Sequence, residues 1–399
     1  MKSNYRYIVK AFMAMAVIAG TTSCDDFLDR EPMSSISPET YYSTAAQLEA
    51  NLNDEYPNVL PSFGQWTYGI FGEDKGTDNQ IEVNANDRYT QDRWKVPHSE
   101  SDNWKFERIY RINFFLSEAL PKFGEDMSGS QNTISGSVAT IKHYIGEMYF
   151  LRAYEYFKKL QLFGDFPIIN QPLADEMEAL REASKRFPRN EVARFIISDL
   201  DKAYAYMSDV DMATTRINKD AAMLVKSRVA LFEATWLQNF KGTAFVPGGE
   251  GWPGASLHNN YQYPSGNLDN EVKYFLEQAV EASKLVADKY KGNLTENTGV
   301  LQQSADDPSN PYFDMFAQED LSDVKEVLLW RQYARGLSTH NINAAAGRGN
   351  YRIGLTRGFV QNFLMKDGTP VYAHGSYADG DGYYMGDKTV ADVRVNLSL

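Results

Sequence analysis

Cysteine is almost absent from this chain of 399 residues, which contains only Cys24. A single cysteine cannot form a disulfide within the chain. The five histidines are scattered without the spacing of metal ligands, and no Gly-x-Ser-x-Gly nucleophile motif occurs. We therefore predict no metal site, no cofactor and no enzyme activity. Acidic residues are too numerous for a pair of glycosidase carboxylates to be recognised from sequence, so this one enzymatic alternative stays open.

Basic residues are scarce relative to acidic ones. The chain has 40 Lys and Arg against 53 Asp and Glu, which gives a net charge of −13 at pH 7. Its first 23 residues carry three basic and no acidic side chains, so the remainder has a net charge of −16. A surface of this sign repels phosphate backbones and offers no basic footprint. We therefore expect no nucleic-acid partner.

Long apolar runs are lacking too. The run AFMAMAVIAG at 11–20 is shorter than the roughly 20 apolar residues that span a bilayer. Basic residues precede it and small residues follow it, a pattern that predicts a secretory signal peptide at 1–23. Cys24 then stands where the lipid-modified cysteine of a bacterial lipoprotein stands, and two or three acyl chains such as palmitate would anchor it stably. The alternatives are a secreted protein with a stray cysteine and a buried structural cysteine.

Apolar residues recur at helical spacing in six segments after an acidic tether at 24–36. The first helix is predicted to start with Ser37 as N-cap and Pro38 as first residue, and to end at Pro57 and Pro61. Neighbouring helices form pairs, which predicts stacked helical repeats without a clean sequence period. The other five helices are expected near 102–120, 137–160, 190–207, 219–238 and 271–290.

Long irregular segments interrupt the helices at 57–100 and 239–270, and the character of the chain changes after residue 320. The run VKEVLLWRQY at 324–333 predicts a buried strand. The segment 363–372 predicts a hairpin turned at Asp367-Gly368. The sequence thus predicts a mostly α fold with a few short strands confined largely to the last third.

Five segments of the chain together resemble the SusD/RagB family of outer-membrane glycan-binding lipoproteins of Bacteroidetes. The most specific is FLRAYEYFKKLQLFGDFPII, a helix that ends in Leu-Phe-Gly-Asp-Phe-Pro. Nearly the whole chain after the leader is covered in the family's order. The matching segments are CDDFLD at 24–29, 150–169, 189–207, 217–236 and FLMKDGTPV at 363–371.

The resemblance implies a tetratricopeptide-like α/α superhelix with four helix pairs, in one body at 37–399. It implies a non-enzymatic nutrient-uptake protein of polysaccharide utilisation that delivers oligosaccharides to a TonB-dependent barrel of the SusC type. The protein would be anchored in the cell outer membrane and face the exterior, and Asp25 and Asp26 fit the export signal of such lipoproteins. Relatives continue past the point that matches 390–396, so we expect a truncated or frameshifted C-terminus.

Aromatic side chains in the irregular segments are the candidate sugar contacts, because sugar rings present C–H faces that stack on flat rings. Acidic and amide side chains would bind the hydroxyls. Plain packing is the alternative for each residue, and Trp104, Trp236 and Trp330 are predicted to belong to the core. A helical-repeat scaffold that binds only proteins is the alternative function. The candidate contacts are Trp66, Tyr68, Asp78, Asn79 and Trp94 in the first segment, Trp252, Tyr261 and Tyr263 in the second, and Tyr312 as a weaker one.

Overall fold

In the computed structural model, the protein is described at residues 41–62, 74, 76–81, 103–124, 126–208, 212–300, 304, 306–334, 336, 338–340, 354–365 and 368–373. The predicted signal peptide, the tether and Cys24 lie outside the described residues. So do the predicted helix start at Ser37, the candidate contacts Trp66, Tyr68 and Trp94, and the end of the chain after residue 373.

The described chain is mostly helical, as the sequence predicts. The six long helices follow one another in sequence order, and short helices and one two-stranded sheet occupy the connections. The helices are α1 Ala45–Val59, α2 Glu107–Phe123, α3 Val138–Phe163, α4 Met177–Ala183, α5 Arg189–Tyr206, α6 Lys219–Asn239, α7 Leu268–Tyr290, α8 Pro311–Met315 and α9 Arg357–Gln361; the strands are β1 Gln80–Ile81 and β2 Gly354–Leu355.

The first predicted helix is interrupted near its beginning, and its predicted start at Ser37 lies outside the described residues. The chain turns at 42–43, and α1 begins only after Thr44. Thr44 Oγ1 accepts a hydrogen bond from Gln47 N at 3.3 Å, and Gln47 Oε1 accepts one from Thr44 N at 3.0 Å. This reciprocal capping box satisfies amides that a helix start otherwise leaves unpaired. At its other end α1 stops at Val59, between the two prolines predicted to end it, with Pro57 inside the last turn.

The predicted ends of the central helix α3 agree with the structure. Ser137 is its N-cap, and its side chain accepts a hydrogen bond from Thr140 N. At the other end Gly164 has a φ of 68°, and its N–H donates to Leu160 O at 2.9 Å. Glycine adopts this left-handed conformation at low cost, which explains why the helix stops there.

The helices stack side by side around α3. Helix α3 contacts α1, α2 and α5, and α6 contacts α5 and α7. Gly146 lies where α3 meets the end of α5: a Cβ at this position would stand 2.8 Å from Met207 N and 2.9 Å from Ala203 O. Glycine therefore permits a close approach of the two backbones that no other residue would allow without displacement.

Buried ion pairs join helices that are neighbours in the stack. Arg152 of α3 donates to both carboxylate oxygens of Asp199 of α5, at 2.7 and 2.8 Å. Arg189 of α5 pairs with Glu233 of α6 in the same manner. Such bidentate pairs fix the relative position of two helices, because the two parallel hydrogen bonds form only when the guanidinium and the carboxylate are aligned.

A third pair joins α5 to α7. Arg194 Nε and Nη2 donate to Glu271 Oε1 and Oε2 at 2.7 and 2.9 Å. Burial alone would raise the pKa of Glu271, but hydrogen bonds from Arg194, Asn190 and Ser265 lower it. The carboxylate of Glu271 thus stays charged although the residue is fully buried.

The buried strand predicted at 324–333 is wrong. This segment consists of turns and irregular backbone, and it is held by Thr214 and Asn218 instead of by a partner strand. The hairpin predicted at 363–372 is present in a minimal form: Leu364 and Pro370 form a bridge, and Val371 N donates to Phe363 O at 3.1 Å. The sequence predicts most strands in the last third of the chain, but strand β1 lies in the first third.

Candidate functional site

The candidate contact Trp252 lies in the irregular segment between α6 and α7. Trp252 is predicted as a sugar contact, which requires an exposed ring, but only 5% of its surface is accessible. Its Nε1 donates to Asp165 Oδ2 at 2.7 Å, and Asp165 Oδ1 accepts from Arg189 N at 2.9 Å. Burial raises the pKa of Asp165 above its usual range. Through Asp165, Trp252 therefore anchors this segment at the start of α5.

Tyr261 and Tyr263 extend the same aromatic cluster. The ring centroids of Trp252 and Tyr261 are 5.6 Å apart, and those of Tyr261 and Tyr263 are 5.2 Å apart. The Tyr261 hydroxyl donates to Asn190 at 3.1 Å, the Tyr263 hydroxyl donates to Pro247 O at 2.5 Å, and burial raises the pKa of both phenols. Both rings are half-buried, so ligand contact through their exposed parts stays a prediction.

Asp78 and Asn79 lie directly before β1, which pairs antiparallel with β2. Thr356 N donates to Asn79 O at 2.9 Å, and Thr356 Oγ1 donates to Asp78 O. Thr356 is also the N-cap of α9. The backbone at 78–79 is therefore held in place while the Asp78 side chain remains exposed. Whether these residues meet the aromatics of 57–100 stays a prediction.

A groove of about 850 Å³ lies elsewhere, between the last turns of α1, the middle of α3, the first half of α6 and the segment 326–332. Its size falls within the range of about 300–1,000 Å³ typical of small-molecule sites. We call it the α1–α6 groove. Its walls carry apolar, aromatic and charged side chains, among them Tyr56, Leu60, Phe150, Tyr154, Leu224, Arg228, Glu326 and Trp330.

The segment 326–332, which we call the strap, forms one wall of the α1–α6 groove. Trp330 Nε1 donates to Thr214 Oγ1 at 2.9 Å, and Trp330 N donates to Thr214 O at 3.1 Å. Asn218, the N-cap of α6, donates to Leu328 O at 2.6 Å. The strap is therefore anchored through its backbone and through the polar edge of the indole. Trp330 is half-buried and lines the groove, whereas the sequence predicts a core residue.

A network of hydrogen bonds stiffens the groove where α1 meets α3. Tyr56 OH donates to Glu147 Oε2 at 2.5 Å and accepts from Ile217 N at 2.9 Å. Arg216 Nε and Nη2 donate to the two oxygens of Glu147 at 2.9 and 2.8 Å. Burial and the neighbouring Glu147 carboxylate raise the pKa of Tyr56 well above its usual value. The charge of Arg216 is thus largely neutralised within the protein.

No helix in the described part of the chain is long and apolar enough to cross a membrane. Among the same residues, no group of three or more His, Cys, Asp or Glu side chains could hold a metal ion.

Sequence reasoning missed the α1–α6 groove because four distant stretches of the chain build it. The one available signal is the aromatic and apolar run Leu328–Trp330 beside Arg331, whose composition is typical of a buried strand. A strand prediction places these side chains in the core, and only the tertiary structure brings them to a groove wall.

The profile of SusD-like proteins, described as starch-binding and associating with the outer membrane, matches residues 26–231. This is more than half of the chain. The chain belongs to the SusD-like family. SusD-like proteins bind carbohydrate and are non-catalytic, in agreement with the expectation that this protein is not an enzyme.

Two curated relatives of this SusD-like chain come from Formosa agariphila. SusD-like protein P25 is 25% identical over 233 residues, which cover 54% of this chain and 41% of P25. SusD-like protein P2 is 25% identical over 253 residues, which cover 60% of this chain and 46% of P2. The chain thus spans less than half the length of either relative.

A solved SusD-like carbohydrate-binding protein of Bacteroides fragilis superimposes with a TM-score of 0.51 at 14% identity. The superposition covers 85% of this chain and 57% of the other. At this identity the likeness shows the fold alone.

Proposed function

We propose that this protein binds oligosaccharides at the cell surface and delivers them to a SusC-like TonB-dependent transporter of the outer membrane. The match of residues 26–231 to the SusD-like family carries the proposal. The stacked helices and the α1–α6 groove, whose volume suits a short oligosaccharide, are consistent with it.

The proposed attachment to the membrane is a lipid on Cys24 after removal of residues 1–23. A Cys24→Ala variant should appear in the soluble fraction or retain its leader, because the thiol that carries the lipid is gone. Fractionation followed by mass measurement of the N-terminus is the assay. Full membrane retention of a processed, unmodified variant would contradict this part of the proposal.

The proposed ligand contacts are the α1–α6 groove and the residues Trp66, Tyr68, Asp78, Asn79 and Trp94. Tyr261 and Tyr263 are weaker candidates because their hydroxyls already bond to the protein. Trp252 is not proposed as a contact because it is buried.

The deciding experiment is a glycan array probed with the full chain, followed by titration of each bound polysaccharide. Saturable binding to a polysaccharide supports the proposal. The alternative function, a helical scaffold that binds only proteins, predicts a co-purifying outer-membrane barrel without measurable sugar affinity. That outcome would overturn the glycan-binding half of the proposal.

A further inference from the structure

The α1–α6 groove carries more positive charge than the composition of the chain leads one to expect. Three arginines line it, Arg216, Arg228 and Arg331, and Glu326 is the one acidic residue among the lining side chains. In the whole chain, by contrast, acidic residues outnumber basic ones by 53 to 40. The groove is therefore a local basic site on an acidic protein.

Two of the three arginines are not used to hold the fold together. Arg216 is paired with Glu147, but neither Arg228 nor Arg331 forms an ion pair with a carboxylate of the described residues. Both side chains are exposed. Both line the same groove, Arg228 from α6 and Arg331 from the strap. An anion in the groove would meet two guanidinium groups, each able to donate two parallel hydrogen bonds.

The other groove-lining groups fit a sugar ring. The polar edge of Trp330 is bonded to Thr214, so the apolar ring remains for stacking. Tyr154 stacks on Phe150, with ring centroids 6.1 Å apart, and adds a second flat surface. Glu326 also lines the groove, and its buried Oε1 has no hydrogen-bond partner among the described residues.

We infer that the α1–α6 groove binds an oligosaccharide with an anionic substituent, a carboxylate or a sulfate group, which Arg228 and Arg331 hold. This inference rests on the proposed function, because it names the substrate class of a glycan-binding protein. Electrostatic attraction acts over about 10 Å in 0.1 M salt, so an anion in the groove responds mainly to the groove-lining charges, among which arginines outnumber acidic residues.

The test is a calorimetric titration of the full chain with oligosaccharides of equal length: galacturonate, sulfated galactose and neutral glucose oligomers. We expect an acidic oligomer to bind at least about tenfold more tightly than the neutral one, with an affinity that falls as salt rises. Whichever acidic oligomer binds more tightly identifies the substituent, and either one supports the inference.

The variants Arg228→Ala and Arg331→Ala should each weaken acidic binding about 10- to 100-fold and leave the melting temperature unchanged. Arg181→Ala is the matched control, because Arg181 is 78% exposed on α4 and outside the groove. It removes the same charge and should not change affinity.

Four outcomes would overturn the inference. Equal affinity for neutral and acidic oligomers, or unchanged affinity in both groove variants, refutes it while the proposed function stands. A drop in melting temperature in both variants, with no loss of affinity, indicates that the two arginines stabilise the fold and do not bind the ligand. If none of these oligomers binds and the glycan array is also negative, the proposed function fails together with the inference.

Discussion

Removal of one partner of the buried pair between Arg152 and Asp199 should destabilise the protein strongly. The two side chains are 4% and 0% exposed, so the variant Arg152→Met leaves the Asp199 carboxylate buried without its bidentate partner. Breaking a buried ion pair in this way costs about 3–5 kcal/mol. Lys202 Nζ lies 3.8 Å from Asp199 and offsets a part of the loss, so we expect about 3 kcal/mol.

Urea unfolding followed by far-ultraviolet circular dichroism measures this loss as a change in the free energy of unfolding. Arg181→Met is the control, because its pair with Glu178 is exposed and 4.0 Å long, and it should stay within about 0.5 kcal/mol. The double variant Arg152→Met with Asp199→Leu should regain much of the stability, since no buried charge remains. A loss in Arg152→Met no larger than that in the control would refute the reasoning.

Three further predictions concern stability. Glu271→Gln should lower the free energy of unfolding at pH 7 and make that free energy decline less steeply in acid. The pKa of Glu271 is lowered in the folded protein, so its carboxylate stabilises the fold at pH values above the usual glutamate pKa of about 4.3. This contribution is lost as the pH falls through the folded-state pKa. An unchanged pH profile would contradict this. Gly146→Ala should cost about 1–3 kcal/mol in urea, because its Cβ would collide with Met207, and a neutral effect would show that the helices shift freely. Trp252→Ala should cost about 3–5 kcal/mol and leave glycan affinity of the folded protein intact, so a loss of affinity without a loss of stability would restore Trp252 as a ligand contact.

The long helices could be predicted because their apolar residues recur with the helical period and their ends carry local signals. Ser137 and Gly164 mark the two ends of α3 through bonds within a few residues of the chain. The start of α1 is harder to predict, because Ser37-Pro38 offers another start signal only a few residues earlier. The capping box of Thr44 with Gln47 fixes the start of α1 at Ala45.

The strap and the ion pairs could not be predicted, because their partners are distant in sequence. The segment 326–332 has the composition of a strand, but a strand requires a neighbour with free backbone groups. Here Thr214 and Asn218 supply the bonds instead, more than 100 residues away. The burial of Trp252 is hard to predict for a similar reason, because its half-buried acceptor Asp165 precedes it by 87 residues.

The buried pairs on α5 also restrict how this architecture can change. Arg152–Asp199, Arg189–Glu233 and Arg194–Glu271 tie α5 to three different helices. A slip of α5 by one turn, about 5.4 Å, would separate all three pairs at once and leave several charges buried without partners. In this stack of helices, a loss or a duplication of α5 would likewise leave buried charges without their partners. Substitutions at these six positions should therefore lower the stability of the fold more than substitutions on the exposed surface.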